Sequence, residues 1–129
     1  MTTTQIADQL ISYCRKGEWT KAQQELYADD AVSIEPYASE NFEKETKGLP
    51  ALLKKSSMFT QMTETLHSSE VSEPLIAANS IAFLLTLDVT MKERGRNKFT
   101  EICVYEIKDG KIVSERFFVL SSYDIINRV

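Results

Sequence analysis

Apolar residues recur every three or four positions over the first half of the chain and every second position over the rest, so the sequence changes near residue 65 from a helical part to a strand part. Between residues 3 and 16, Ile6, Leu10 and Tyr13 fall at helical spacing with Ala7, Ile11 and Cys14 beside them, and Gly17 supplies a stop. A second helix starts at Glu18-Trp19 and places Trp19, Ala22, Leu26 and Tyr27 on one face. Two aspartates mark a turn, after which Ala31 to Tyr37 predicts a short strand that halts at Glu35-Pro36. The polar stretch ASENFEKETKG reads as a surface loop. A third helix follows from Pro50, with Leu52, Leu53, Ser56, Phe59 and Met62 as its apolar face. The alternating part predicts strands near 65–73, 76–92, 97–108 and 111–120. Helices first and hairpin-linked strands afterwards form an α+β pattern.

The last hairpin decides which side chains share a face. Its tip, Lys108-Asp109-Gly110, suits a three-residue loop with glycine in the left-handed region. That register sets Ile107 against Lys111, Cys103 against Glu115 and Glu101 against Phe117. One face then carries Phe99, Glu101, Cys103, Tyr105, Val113, Glu115, Phe117 and Val119, and the other carries Ile102, Val104, Glu106, Ile112, Ser114, Arg116 and Phe118. A two-residue Asp-Gly turn would slip the pairing by one and break this grouping. Both faces hold large apolar side chains, so both need cover. The helices can cover one, and a second copy of the chain packed sheet to sheet is the simplest cover for the other, which predicts a homodimer.

Composition narrows the function. With 129 residues, 43% of them hydrophobic, the chain is expected to be one domain, 1–129, with one core. A net charge of -4 argues against nucleic acid as the main partner, and the basic run KERGRNK reads as a solvated hairpin tip around Gly95. Cys14 and Cys103 stand far apart, so neither a disulfide framework nor a zinc site is indicated, and a reducing cytoplasm fits. The first residues lack a basic segment followed by an apolar one, and IAFLLTLDV is too short to cross a bilayer, so no membrane association is expected. None of the four glycines stands in a GxGxxG or GxxxxGK spacing, so no nucleotide cofactor is expected.

The order of helix, KGEW, helix, LYADDAV, strand, EP, loop, helix and long strands ending in YEIKDGKIVSERFF resembles the SnoaL-like branch of the nuclear transport factor 2-like superfamily, which includes ketosteroid isomerase. The resemblance covers most of the chain. It implies N-terminal helices packed on a strongly curved antiparallel sheet, a cone-shaped cystatin-like fold with a deep apolar cavity, usually in a dimer. In ketosteroid isomerase the acid next to the proline after the first strand is the general base, and Glu35 matches that position. The tyrosine and protonated aspartate that hold the enolate oxygen there correspond to positions near Leu10 and at Cys103, and Tyr13 lies about one turn away from the first. Without such donors, worth roughly 3 kcal/mol of barrier or more, steroid isomerisation by that mechanism is not expected.

The hairpin register places Glu101 and Glu115 diagonally on the cavity face at roughly 5 to 8 Å. Two carboxyls that close in an apolar chamber cannot both ionise cheaply, so one holds its proton near neutral pH and an acid/base pair can follow. Limonene epoxide hydrolase uses paired acids to activate water in the same architecture, although its arginine-containing triad is not present here. The alternative is that these glutamates sit at the rim or pair with Arg94, Arg96 or Lys98. His67, the single histidine, is a candidate proton carrier into the chamber or a hydrogen-bonded wall residue. No local spacing supports a metal. Catalytic candidates are therefore Glu35, His67, Glu101 and Glu115. Tyr13, Trp19, Met58, Phe59, Met62, Leu85, Leu87, Cys103, Tyr105 and Phe117 supply core and pocket wall. The expected function is binding of a small hydrophobic, oxygenated compound, with isomerase, cyclase or hydrolase chemistry by proton transfer. The alternative is a ligand-binding or dimerisation module without catalysis.

Overall fold

The computed structural model describes residues 1–39 and 42–119. Helix α1, Thr3–Arg15, begins in a capping box: the Thr2 hydroxyl accepts from the Gln5 backbone N–H while the Gln5 side chain accepts from the Thr2 N–H. It ends at Gly17 in the left-handed region at φ 71°, where the N–H groups of Gly17 and Glu18 close on Cys14 and Tyr13. An added Cβ at Gly17 would lie 2.5 Å from Leu66, so the same glycine permits a close approach to the sheet. Helices α2, Trp19–Leu26, and α3, Leu49–Met62, follow, with Pro50 in the first turn of α3.

Strand β1, Tyr27–Ile34, starts directly after α2, so Tyr27 belongs to the strand rather than to the helix face. Asp29 and Asp30 lie inside the strand instead of forming a turn. The pairing of β1 with the last strand shifts between Tyr27 and Val32, and this irregularity absorbs them. The expected loop contains a short strand, β2, Glu45–Lys47, which pairs with β1. Its sequence, Glu-Thr-Lys, has no apolar alternation to reveal it. Strand β3 spans Thr63–Val71. The segment read as one strand over 76–92 divides into β4, Leu75–Ala77, and β5, Ser80–Met91, around Ala78 at φ 52°. Strands β6, Gly95–Lys108, and β7, Lys111–Val119, complete the fold; Leu120, read as the last strand residue, lies outside the described residues.

The sheet runs β2-β1-β7-β6-β5-β3, with β4 also on β5. Every pair is antiparallel except β1 with β7, so the curved sheet is mixed rather than wholly antiparallel, and it does not close into a barrel. The fold class is α+β, three helices on one face of this sheet. Ile6, Leu10 and Ile11 of α1, Leu26 of α2 and Leu52 of α3 are buried with Ile81, Phe83, Leu85, Leu87 and Val89 of β5 and with Cys103 and Tyr105 of β6. Among the described residues, no helix is long and apolar enough to cross a membrane.

The β6–β7 hairpin corrects the expected register. Its loop has two residues, Asp109 at φ 52° and Gly110 at φ 74°, the left-handed pair that suits an Asp-Gly hairpin turn. Between the pairs Ile107–Ile112 and Glu106–Ser114, Val113 is an extra residue that slips the pairing once more. The two slips together restore the side-chain alternation. Glu101, Cys103, Tyr105, Glu115 and Phe117 therefore still share a face, while Ile112 moves inward, opposite Ile107, to full burial. Glu115 now faces Tyr105 rather than Cys103, and Glu101 faces Val119 rather than Phe117.

Candidate active site

A cavity of about 890 Å³ lies between the helices and the sheet, lined by α1 at Leu10 and Cys14, α2 at Trp19, Ala22 and Gln23, α3 at Lys55, Ser56 and Phe59, and the inner face of β5, β6 and β7. It extends outward past Tyr37 and Ser39, which are exposed. Its walls are largely apolar: Leu85 and Leu87 from β5, Phe99 from β6 and Phe117 from β7. A smaller cavity of about 350 Å³ shares Phe42, Phe59, Asn97 and Phe99 with it and adds Met62, Val89 and Met91.

Strand pairing builds the polar floor. The parallel β1–β7 register sets Ser33 beside Glu115, and the Ser33 hydroxyl donates to Glu115 Oε2 at 2.7 Å. Tyr27, the first residue of β1, donates from its hydroxyl to Glu115 Oε1. From α3, Lys55 Nζ donates to Ser33 Oγ at 2.8 Å and pairs with Glu35 Oε1 at 2.8 Å. Lys55 also lies 5.9 Å from the centre of the Phe117 ring, a cation–π contact. A chain of polar groups thus runs Tyr27, Glu115, Ser33, Lys55, Glu35 from the sealed floor to a carboxylate whose side chain is 26% exposed. Burial raises the Glu115 pKa above the usual carboxylate value, opposed by the hydrogen bonds from Tyr27 and Ser33 and by the charge on Lys55.

Glu101 stands apart from that chain. It lies on the wall, half-buried, and among the described residues its hydrogen-bonding contact is the Cys103 thiol at 3.8 Å. Burial first, and then the nearby charge of Glu35, raise its pKa to about 7. The Glu35 charge weighs on Glu101 more than the Glu115 charge does. This corrects the expected pairing: along the β6–β7 ladder Glu101 and Glu115 stand four residues apart, about 13 Å of strand rise, rather than diagonally adjacent. Burial pushes the Cys14 thiol up to about 12 and the Cys103 thiol higher still, so neither is a thiolate near neutral pH.

The structure brings Glu35, Glu101 and Glu115 to one cavity, together with Trp19, Phe59, Leu85, Leu87 and Phe117. It does not bring His67 there: the ring is exposed and Nε2 lies 2.7 Å from Thr90 Oγ1. Tyr13 is also outside the cavity, donating to Glu25 on the helix surface. Cys103 and Tyr105 are buried behind the wall, Met58 does not line either cavity, and Met62 lines the smaller one. Arg96 pairs with Asp88 through Nε at 3.0 Å and a terminal nitrogen at 2.9 Å, not with a cavity glutamate. The sequence reading missed Gln23, Tyr27, Ser33 and Lys55. The helical period on α3 was a usable signal for Lys55, which falls between Leu52 and Phe59 on the inner side, but a lysine read alone belongs to solvent.

The SnoaL-like domain family matches residues 1–119, so the chain belongs to the SnoaL-like family. Among solved structures, a candidate SnoaL-like polyketide cyclase from Mesorhizobium loti is 31% identical, with 92% of this chain and 99% of that chain covered and a TM-score of 0.79. A protein of unknown function with a cystatin-like fold from Xanthomonas campestris is 18% identical, with 97% and 95% covered and a TM-score of 0.81. A nuclear transport factor 2-like protein from Anabaena variabilis is 17% identical, with 95% and 96% covered and a TM-score of 0.76. No functionally curated protein matches the chain.

Proposed function

We propose that this protein catalyses proton transfer at a carbon next to a carbonyl group of an apolar, oxygenated small molecule, in an isomerisation or a ring closure. The observation that carries this reading is Glu101: a carboxyl group poised near neutrality in an apolar cavity, with its oxygens uncommitted to any strong donor among the described residues. In this reading Glu101 takes the proton from carbon and returns it. Lys55, held by Glu35 and Ser33, faces the developing enolate oxygen with its remaining N–H. Lys55 thereby fills the role left vacant at Leu10 and Cys103. The 31% identical Mesorhizobium loti relative is named for cyclisation and a 20% identical Bacillus subtilis neighbour for isomerisation, reaction classes that include ones opened by proton transfer next to a carbonyl.

Exchange of the α-hydrogens of 2-tetralone for deuterium, followed by NMR in heavy water, tests the reading directly. The wild-type protein is expected to accelerate exchange with a pH midpoint near 7, and Glu101→Gln to lose at least about a hundredfold. Exchange at the wild-type rate in Glu101→Gln removes the catalytic role and leaves ligand carriage.

The outer sheet face supports a homodimer. Leu84, Ile102 and Phe118 form a row across β5, β6 and β7, exposed by 47%, 46% and 46%. A second copy packed on this row buries it beside Arg116, whose guanidinium lies 5.4 Å from the centre of the Phe118 ring. Sedimentation at micromolar concentration is expected to give the dimer mass for wild type and the monomer mass for Ile102→Glu. A wild-type monomer refutes the assembly.

A further inference from the structure

Gln23 is the one polar side chain on the buried face of α2, between Trp19 and Tyr27 at i−4 and i+4, and all three line the large cavity. The residue is 7% exposed, and its Oε1 is buried with no hydrogen-bond partner among the described residues. An unsatisfied buried acceptor destabilises the folded protein, and an apolar residue of the same shape would relieve it. The other buried residues of α2, Ala22 and Leu26, are apolar, and the nearby hydroxyls of Thr20 and Ser56 bond each other at 3.2 Å, so neither gives the amide a partner. Gln23 lines the open cavity while its Oε1 is closed off, so a turn of the amide about its last, soft torsion is what brings a polar edge to a partner arriving from outside.

We infer that Gln23 reads a hydroxyl group of the ligand. A hydroxyl both donates and accepts, so it completes the amide whichever edge the planar group presents. A site built to bond a hydroxyl discriminates sharply against the analogue lacking it, because the bare analogue leaves the buried amide unpaired. Gln23 belongs to the helix side of the cavity, whereas Glu101 belongs to the sheet side. The ligand class is therefore a hydroxylated alicyclic or aromatic carbonyl compound, its hydroxyl against α2. The carbonyl end of that description rests on the proton-transfer reading; the hydroxyl end does not.

The test uses 1-tetralone and its 5-, 6- and 7-hydroxy forms, with binding read from the emission of Trp19, the only tryptophan, which lines the same cavity. Wild type is expected to bind at least one hydroxy isomer about tenfold or more tightly than 1-tetralone. Gln23→Met, which keeps length and removes both polar atoms, is expected to lose that preference, so that 1-tetralone binds as tightly as the hydroxy forms, and to melt a few degrees higher. No preference in wild type, no binding of any of the four compounds, or a preference that survives in Gln23→Met overturns the inference. So does a lower melting temperature of Gln23→Met, which would mean that the amide already has an internal partner. Glu101→Gln separates the two readings. A hydroxyl preference retained there with exchange unaffected sinks only the catalytic role, and a lost preference in Gln23→Met is not expected to depend on Glu101.

Discussion

The floor and the wall of the cavity each carry a glutamate on the same face of the sheet, and the two are held in opposite ways. Glu115 on the floor is buried, and both its oxygens are taken, one by Tyr27 and one by Ser33. Glu101 on the wall is half-buried and meets only a weak thiol donor among the described residues. Burial raises the pKa of both, so a shifted pKa does not by itself mark the reactive group. What separates them is the supply of donors. In the proposed reading a substrate reaches Glu101 by displacing only the weak thiol contact, whereas using Glu115 would dismantle the contacts that fasten β1 to β7.

The largest expected effect that would break this contrast is on rate. Glu101→Gln should abolish the pH-7 midpoint of exchange and cost at least about a hundredfold, while Glu115→Gln should cost less than about tenfold. Equal losses would mean that floor and wall act as one unit. Next comes stability against pH. Because burial moves Glu101 from 4.5 to about 7, the folded protein keeps a proton that the unfolded chain has already released in that window. The stability contributed by the protonated form is full below about pH 4.5 and is lost as the pH rises to about 7. Glu101→Gln avoids the loss, so urea titration should show it more stable than wild type at pH 8.5, by at most about 3 kcal/mol, and level with wild type near pH 4.5.

Glu115→Gln should behave in the opposite sense near neutral pH, losing about 1–3 kcal/mol in the same titration. The amide presents donor hydrogens to at least one of two hydroxyl donors and leaves Lys55 less well held. A neutral result would show that the floor is not structural. The smallest expected effect is on the outer face: His67→Ala should leave exchange unchanged and alter stability by no more than about 0.5 kcal/mol, since the ring is exposed and bonds a single hydroxyl. A loss of exchange there would return His67 to the mechanism.

Much of the site was legible, and the reasons differ residue by residue. Glu101 and Glu115 were assigned to one face because strand alternation survives an even slip, and here two single slips, a two-residue turn and the bulge at Val113, add up to one. Their separation was not legible, since the two slips together move Glu115 two residues along β6 and return it to the side it started from. Lys55 and Gln23 were passed over because propensity assigns charged and amide side chains to water, and only the partners on other strands, or their absence, overrule that. His67 was drawn toward the chamber by its chemistry alone, and the pairing irregularity between Leu66 and Ser68 leaves it outside instead.

Local information in the sequence determined the helices, their caps, the long strands, the α+β order and the family, because those depend on neighbours within a few positions along the chain. Tertiary structure alone decided that β1 lies parallel to β7 and that Ser33 and Tyr27 close on Glu115 from 82 and 88 residues away. It also decided that Glu101 is the cavity carboxyl that meets no strong donor among the described residues. Such pairings are set by which distant surfaces bury the most apolar area together, and no periodicity within a segment encodes the position of a partner that the segment meets only after folding.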